Sequence, residues 1–315
     1  MRPIQRLATR VVVRHRVTEA NNLHYPGQRD DSAPLWRGMS RSEHVDVAHA
    51  LVQSLGASLD GYALSGGEPT LNRPALLELV GYLASTSVGS FWLETNATVL
   101  SGPLLEDLGE AGLRRLRVHI PTREPRAYAR AMGVSERSAT EHLARVEATV
   151  NTAINLGIHV AIDVPILRGL NDDADTLLGF ASWHDRGVPL TLVQLDHSSH
   201  ARDPLDLLQS LDARPAAAND GEHEPCYELC HDSRCISLSA VSRRHAERSE
   251  STLHVSADGR VRSETHDASP ESSQAPVSSA PLSTTLPREE VEPVPPTLRV
   301  VSPALPWTQR LAVGF

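Results

Sequence analysis

Residues 11–195 alternate between short runs of β-branched or aliphatic residues and amphipathic stretches with helical spacing. This alternation is typical of α/β proteins, in which helices connect parallel strands. The predicted strands are Val11–Thr18, Tyr62–Ser65, Ser90–Glu94, Leu116–Ile120, His159–Ile166 and Leu190–Leu195. Six strands with covering helices fit either an open doubly wound sheet or a partial barrel, and the strand count alone does not separate them.

Two sequence signals predict where helices begin. Ser40 with Glu43, and Ser138 with Glu141, each have the spacing of a capping box. In such a box, the first side chain accepts from a backbone N–H of the first turn, and the second reaches back to the cap. We therefore predict helices that begin at Ser40 and at Ser138.

The periodicity fades beyond Leu195, and the composition changes toward the C-terminus. Residues Leu253–Arg262 predict a hairpin that turns at Asp258–Gly259. From about Ser263 the chain is rich in Ser, Pro and Glu, a composition typical of disorder. The predicted parts are an α/β core in residues 1–200, a small Cys/His-containing subdomain in residues 201–264 and a disordered tail in residues 265–315.

Charge and hydropathy exclude several classes of protein. The formal net charge is -9 and every basic residue is arginine, which excludes a lysine-based mechanism. No dense basic run provides the footprint of a nucleic-acid binder, so nucleic acid is not an expected partner. No apolar stretch reaches the length of a membrane span, so we expect a cytoplasmic protein without a membrane partner.

The loop after the second predicted strand reads Gly66-Gly67-Glu68-Pro69. Two glycines let a ligand approach the backbone closely, and the carboxylate of Glu68 can accept from an ammonium group. An ordinary strand-to-helix turn is the alternative interpretation.

This loop resembles the Gly-Gly-Glu motif of radical S-adenosylmethionine (SAM) enzymes, closest of all in their molybdenum-cofactor GTP cyclase branch. Thr95-Asn96 resembles the family's Thr-Asn-Gly at the end of the third strand, and Leu167–Asp173 matches its Arg-Gly-x-Asn-Asp element. The resemblance covers residues 11–195. It implies a partial (β/α)6 barrel like that of TIM, with the site at the carboxyl ends of the strands. The SAM-binding residues that it implies are Gly66, Gly67, Glu68, Pro69, Thr95 and Asn96.

The chain departs from the family after the first strand. Where the family carries Cys-x-x-x-Cys-x-x-Cys, this chain has Asn21, Tyr25 and Gln28. A [4Fe-4S] cluster needs soft thiolates, which neutral carboxamides do not replace. Tyr25 and His24 are residue types that can bind a harder iron or zinc centre, but the sequence does not favour a metal at this loop. We therefore do not expect a [4Fe-4S] cluster at the usual site.

Two further substitutions fall in the cavity that the resemblance implies. His119 replaces a serine near the end of the fourth strand, and Asp163 replaces an asparagine in the fifth. Together with Glu68 they are the candidate catalytic acids or bases. The alternative is a structural or solvated role, which is the commoner one for a histidine at a strand end.

The three cysteines, Cys226, Cys230 and Cys235, lie within ten residues. Their odd number and tight spacing favour a metal site over a disulfide framework. Related enzymes often place auxiliary clusters in this part of the chain. A vestigial auxiliary site, a zinc or iron-sulfur site completed by a histidine, and unliganded thiols remain as alternatives.

These observations lead to two functional hypotheses. In the first, the chain is a radical SAM pseudoenzyme that binds SAM or a partner in a specialised biosynthetic pathway. In the second, it is an active SAM-dependent enzyme that uses polar chemistry or an iron-sulfur cluster with unusual ligands. The partner in either case is a small molecule or a peptide that the sequence does not identify.

Overall fold

The computed structural model describes residues 10–23, 25, 38–195, 198, 200–216, 225–241 and 250–265, all within one compact unit. The predicted disordered tail lies outside the described residues from position 266 onward, as do His24 and Gln28.

The described residues form eleven strands and eight helices. The strands are β1 (Arg10–Thr18), β2 (Leu59–Gly66), β3 (Phe91–Thr95), β4 (Arg115–His119), β5 (His159–Pro165), β6 (Leu190–Val193), β7 (Arg214–Pro215), β8 (Cys226–His231), β9 (Arg234–Val241), β10 (Glu250–Val255) and β11 (Val261–Thr265). The helices are α1 (Arg41–Leu55), α2 (Arg73–Ala84), α3 (Gly102–Glu110), α4 (Pro125–Met132), α5 (Glu136–Asn155), α6 (Ala174–Leu178), α7 (Ala181–His184) and α8 (Pro204–Ser210). Within the described part of the chain, none of these helices is long and apolar enough to cross a membrane.

Strands β1 to β6 are parallel and lie side by side in chain order, each followed by at least one helix. All six predicted strands are confirmed to within three residues at either end. A doubly wound sheet reverses its strand order partway along, whereas this order never reverses. The winding is therefore that of a (β/α)6 barrel, as predicted.

The C-terminal strands extend both edges of the same sheet. β9 pairs in parallel with β6, and β8 and β7 follow it outward in antiparallel pairing. At the other edge, β10 pairs in parallel with β1 and forms an antiparallel hairpin with β11, which confirms the hairpin predicted at Asp258–Gly259. The predicted subdomain of residues 201–264 thus has no separate sheet among the described residues. Its strands instead satisfy the free N–H and C=O groups that an open sheet leaves at its edges.

The capping signals were correct at one helix and misplaced at another. At α1 the predicted capping box is present, because Ser40 Oγ accepts from Glu43 N and Glu43 Oε2 accepts from Ser40 N at 2.6 Å. α5 begins three residues earlier than predicted. Its N-cap is Ser135, whose Oγ accepts from Ser138 N at 3.1 Å, so Ser138 lies inside the first turn.

The face of the sheet that packs against the helices, here called the helix face, is almost entirely apolar. Its fully buried strand residues include Val13, Leu64, Leu93, Leu116, Val118 and Ile162. A polar exception is a buried trio in which His15 Nδ1 lies 2.6 Å from Tyr62 Oη and His15 Nε2 lies 2.9 Å from His44 Nδ1. Burial, followed by the proximity of His44, lowers the pKa of His15 to about 3.

Candidate cofactor site and barrel interior

The loop between β2 and α2 lies directly against the chain that leaves β1. Gly67 N donates to Thr18 O at 2.9 Å, and Glu68 N donates to Ala20 O at 2.8 Å. A Cβ on Gly66 would lie 2.4 Å from Thr18 O, and one on Gly67 would lie 2.2 Å from Ala20 O. Both positions therefore need glycine because two backbone segments meet there, which is a reason independent of any ligand.

Glu68 connects the carboxyl ends of β2 and β3. Its side chain is fully buried, and its Oε1 accepts from Thr70 Oγ1 at 2.5 Å and from Thr95 Oγ1 at 2.7 Å. Its Oε2 accepts from Asn96 N at 2.8 Å. Because protein groups engage both oxygens, this carboxylate organises the predicted SAM loop from within. Pro69, which is also buried, begins the short 3-10 turn that leads into α2.

A ring of polar side chains joins the loop after β1 to the loop after β3. Asn96 Nδ2 donates to Asn22 Oδ1 at 2.8 Å, and Asn22 Nδ2 donates to Thr98 Oγ1 at 2.8 Å. Thr98 Oγ1 closes the ring by donating to Asn96 Oδ1 at 2.7 Å. Beside this ring, Asn21 Oδ1 accepts from Leu23 N at 3.2 Å. The carboxamide of Asn22, beside the first predicted cluster position, thus holds the two loops together, whereas that of Asn21 bonds within its own loop.

Tyr25 occupies the second predicted cluster position and packs against the core. Burial raises the pKa of its phenol, and Tyr128 and Asp163 raise it further. These two residues belong to α4 and β5. At neutral pH it is a neutral phenol, whereas a hard metal centre takes the phenolate.

The face of the sheet opposite to the helices, here called the interior face, carries ionisable side chains at alternate strand positions. Arg14 Nη2 donates to Glu94 Oε1 at 2.7 Å, and Trp92 Nε1 donates to the same oxygen at 2.9 Å. Burial by itself raises the pKa of Glu94. The charges of Arg14, His119 and Arg117, together with the Trp92 hydrogen bond, outweigh burial and lower this pKa below its usual range.

Two of the three candidate acid–base residues meet on the interior face. His119 on β4 and Asp163 on β5 are paired in register, and His119 Nε2 lies 3.6 Å from Asp163 Oδ2. Arg117 Nη2 donates to the other oxygen of Asp163 at 3.0 Å. The Asp163 side chain is only 4% exposed, whereas that of His119 is 30% exposed. A buried carboxylate beside a more accessible imidazole is an arrangement that can support general acid–base chemistry. Glu68, the third candidate, is engaged separately in its own loop.

The Arg-Gly-x-Asn-Asp element forms a clamp between the ends of β4 and β5. Asn171 is fully buried, and its Nδ2 donates to Pro121 O at 2.6 Å and to Pro165 O at 2.8 Å. Its Oδ1 accepts from Leu167 N at 2.7 Å. The element that carries part of the family resemblance is thus a structural device at the carboxyl edge of the barrel.

The structure does not bring the three cysteines together as the metal prediction required. Cys230 and Cys235 lie opposite each other in the β8–β9 hairpin and form a disulfide. Cys226 lies four residues before Cys230 on the same strand, and its Sγ is 3.6 Å from Ser239 Oγ. Four residues of strand span about 13 Å, too far for two ligands of one ion. The spacing in sequence did not reveal this separation, because the prediction assigned no strand there.

Comparison with known proteins agrees with this fold. The family described as Radical SAM superfamily matches residues 28–181, so this part of the chain is a Radical SAM domain. Its sheet is accordingly the partial TIM-like barrel that the resemblance implied.

Among curated proteins, the chain is similar to enzymes named GTP 3',8-cyclase. It is 35% identical over 135 residues to that of Acaryochloris marina, and 31% identical over 135 residues to that of Gloeobacter violaceus. These matches cover 40% and 41% of this chain and 39% of each relative. The matched region thus spans about two fifths of the length of these curated relatives.

Among solved structures, the chain is similar to Streptococcus suis SuiB bound to S-adenosylmethionine, with a TM-score of 0.60 and 9% identity, over 85% of this chain and 63% of that one. SuiB bound to precursor peptide SuiA gives a TM-score of 0.56 at 8% identity, over 81% of this chain and 59% of that one. At these identities the likeness shows the fold alone.

Sequence reasoning did not select three of the interior ionisable residues, Arg14, Glu94 and Arg117. The available signal was their period-two spacing within predicted strands, as in Arg115, Arg117 and His119 on β4. It also missed the role of Asn22, because a hydrogen bond to Asn96 across 74 residues leaves no local pattern.

Proposed function

We propose that this chain is a radical SAM superfamily protein that generates no radical and acts by binding, as a pseudoenzyme, in a specialised biosynthetic pathway of the cytoplasm. Its ligand or partner is a small molecule or a peptide, neither nucleic acid nor membrane. The observation that carries the proposal is the donor set after β1, where Asn21 and Tyr25 occupy the predicted cluster positions.

These donors do not fit an iron-sulfur cluster. Cluster irons are held by cysteine thiolates, and the chain has no cysteine before Cys226. The carboxamide of Asn21 is engaged with a backbone N–H, and the phenol of Tyr25 is held neutral by burial. We therefore assign no step to a cluster at this loop.

SAM remains the proposed small-molecule ligand of the loop that Glu68 organises. The support is the ordered Gly66-Gly67-Glu68 segment at the carboxyl edge of the barrel and the similar fold of SuiB, whose solved structure contains SAM. SuiB has also been solved with a precursor peptide, which makes a peptide partner a reasonable second probe. The GTP cyclase activity of the curated relatives is not part of the proposal, because the match covers 39% of their length.

Anaerobic reconstitution of the full chain with iron and sulfide tests the proposal. Iron counting, visible and EPR spectra, and an assay for 5'-deoxyadenosine from SAM under a strong reductant should reveal neither an N-terminal cluster nor deoxyadenosine. Formation of deoxyadenosine would overturn it. In parallel, isothermal titration with SAM should detect binding without added iron, and no binding would remove SAM from the proposal.

Two glutamates that cap helical turns provide a test variant and a matched control for the SAM loop. Glu68 and Glu124 each precede a proline and accept from N–H groups of the turn that follows, but Glu68 is buried and Glu124 is exposed. Glu68→Ala leaves several buried donors without an acceptor, so we expect a loss of about 3 kcal/mol in stability together with weakened SAM binding.

Glu124→Ala should lower stability by about 1 kcal/mol, the usual effect of a lost cap, and should leave SAM binding unchanged. If Glu68→Ala proves unstable, Asn96→Ala is the second variant, because the Asn96 side chain bonds to the more exposed Asn22. SAM affinity that survives both Glu68→Ala and Asn96→Ala would contradict SAM binding at this loop.

The pairing of His119 with Asp163 favours a second candidate function, a SAM-dependent enzyme that uses polar chemistry. In this version His119 exchanges a proton with the substrate, and Asp163 fixes the orientation of the imidazole. Incubation with SAM in the absence of reductant, followed by mass spectrometry, should then reveal a demethylated or cleaved product. His119→Gln should abolish it while folding is retained. Absence of any SAM product leaves the binding function alone.

A further inference from the structure

The β8–β9 hairpin fixes the relative position of two cysteines. Its two-residue turn, Asp232–Ser233, has positive φ at both positions, 48° and 66°. This geometry matches the twist of a tight hairpin and sets a single register. In that register Cys230 lies directly opposite Cys235. The two sulfur atoms are therefore held together by the backbone, whether or not a covalent bond joins them.

A carboxylate completes a group of three donors. Glu228 is two residues before Cys230, so both side chains lie on the same face of β8. A carboxylate oxygen of Glu228 and the two sulfur atoms all lie within 4.8 Å of one another, and all three residues are exposed. On the other face, Leu229 and Ile236 are buried and attach the hairpin to the barrel core. The group is thus both accessible and rigidly supported.

We propose that Glu228, Cys230 and Cys235 form a redox-controlled site for a zinc-class divalent cation. Two soft thiolates and one harder carboxylate are ligand types that zinc takes, with a fourth tetrahedral position left for water or a partner. The proposal does not depend on SAM binding, since the site uses none of the residues of the SAM loop.

The disulfide controls the site because an oxidised sulfur pair offers no thiolate. A dithiol reductant transfers two electrons and two protons, so the Cys230–Cys235 bond breaks, two thiols form and the reductant becomes a disulfide. Binding of the divalent cation then releases the two thiol protons. Oxidation by a disulfide of the same class reverses the sequence and expels the cation.

Cys226 is excluded from the site by the strand geometry and serves as the matched control. It lies on the same face of β8 but about 13 Å from Cys230 along the strand, beside Ser239. A site built on cysteine number alone would need Cys226, whereas the site proposed here does not.

Equilibrium dialysis of the full chain against Zn²⁺ alone, with and without a dithiol reductant, tests the proposal. The reduced protein should bind one Zn²⁺ and the oxidised protein none. Cys230→Ser and Cys235→Ser should abolish binding, and Cys226→Ser should retain it. Glu228→Gln should weaken binding by at least ~10-fold, as loss of even an outer metal partner does. Replacing Zn²⁺ by Co²⁺ should give thiolate-to-cobalt absorption in the reduced protein only.

Equal Zn²⁺ binding by the oxidised and reduced proteins would overturn the proposal, as would loss of the site in Cys226→Ser. If a serine variant does not fold, the thiols of the reduced wild-type protein can be alkylated instead, with far-UV circular dichroism to verify the fold. This experiment also tests whether Zn²⁺ binding needs the thiols. Retention of Zn²⁺ after alkylation would equally refute the assignment. None of these outcomes bears on the anaerobic test of cluster formation or on SAM affinity, so the two proposals fail separately.

Discussion

On β1, Arg14 and His15 are neighbours in sequence but face opposite sides of the sheet. His15, on the helix face, is fully buried with Tyr62 and His44, and its pKa falls to about 3 because that environment excludes charge. Arg14, on the interior face, forms an ion pair with Glu94. The helix face thus accepts polar groups only in neutral form, whereas the interior face keeps paired charges. The helix face carries the buried core, and the interior face carries the paired charges.

The largest expected difference between the faces comes from truncating one side chain of β4 on each face. Leu116→Ala removes a fully buried side chain of the helix face and should destabilise the protein by about 2–5 kcal/mol. His119→Ala removes a partly exposed interior side chain and should lower stability by less than about 1 kcal/mol. Urea unfolding followed by circular dichroism measures both. Equal losses would mean that the interior face is as important to stability as the core.

The second expected effect is an acid-dependent loss of stability caused by His15. Its pKa is about 3 in the folded protein and about 6.5 in the unfolded chain. Below pH 6.5 only the unfolded state gains this proton, so stability falls by about 1.4 kcal/mol per pH unit, or about 2 kcal/mol by pH 5. His15→Leu should remove the contribution of His15 to the slope, whatever its stability at pH 7, and leave that of His44, whose pKa burial also lowers. A wild-type slope retained in His15→Leu would contradict the assignment.

The smallest expected effect concerns Arg14. The contribution of its partner Glu94 is lost at a lower pH than that of His15, so pH distinguishes the two faces. The lowered pKa of Glu94 contributes stability that is present above about pH 4.5 and is lost as the pH falls through the folded-state pKa. Arg14→Met removes the largest of the interactions that lower this pKa, so the pKa rises and the contribution shrinks. We expect a loss of about 1 kcal/mol at pH 7.

Unfolding of Arg14→Met at pH 7, 5 and 4 checks this prediction. Between pH 6.5 and 5 its slope should match the wild type, because His15 is unchanged. A changed slope in that interval would show that the two faces are coupled.

The architecture could be predicted from the sequence because the residues of the helix face follow local patterns. Buried strands of β-branched and aliphatic residues, and caps such as Ser40 with Glu43, are local signals, and they predicted six strands and the start of α1. The predicted helix start at Ser138 was wrong because Ser135, three residues earlier, provides the capping hydroxyl instead. The local pattern thus held two serines able to cap the helix, and a helix boundary shifts easily by a few residues between such positions.

The candidate site was predicted less completely because its contacts join distant segments. The role of Glu68 depends on Thr95 and Asn96, which follow it by 27 and 28 residues. The cysteines illustrate the same difficulty at short range. Cys226 and Cys230 look close in sequence, yet extended backbone separates them while a turn joins Cys230 to Cys235. The distance between two cysteines in space can be inferred from their spacing in sequence only when the secondary structure between them is known.

The outer edge of β1 stays unpaired during much of protein synthesis, because its partner strand β10 is made late. Arg10 pairs with Glu250, so about 240 residues separate the two ends of this contact. At a synthesis rate of about 5–20 residues per second, β1 emerges on the order of 10 to 50 s before β10. Throughout that interval an edge strand of a growing sheet is open to other chains. The arginines at positions 10, 14 and 16 place a charge on three of the four alternate positions 10, 12, 14 and 16 of that strand, and such charges discourage edge-to-edge aggregation until the chain completes its own sheet.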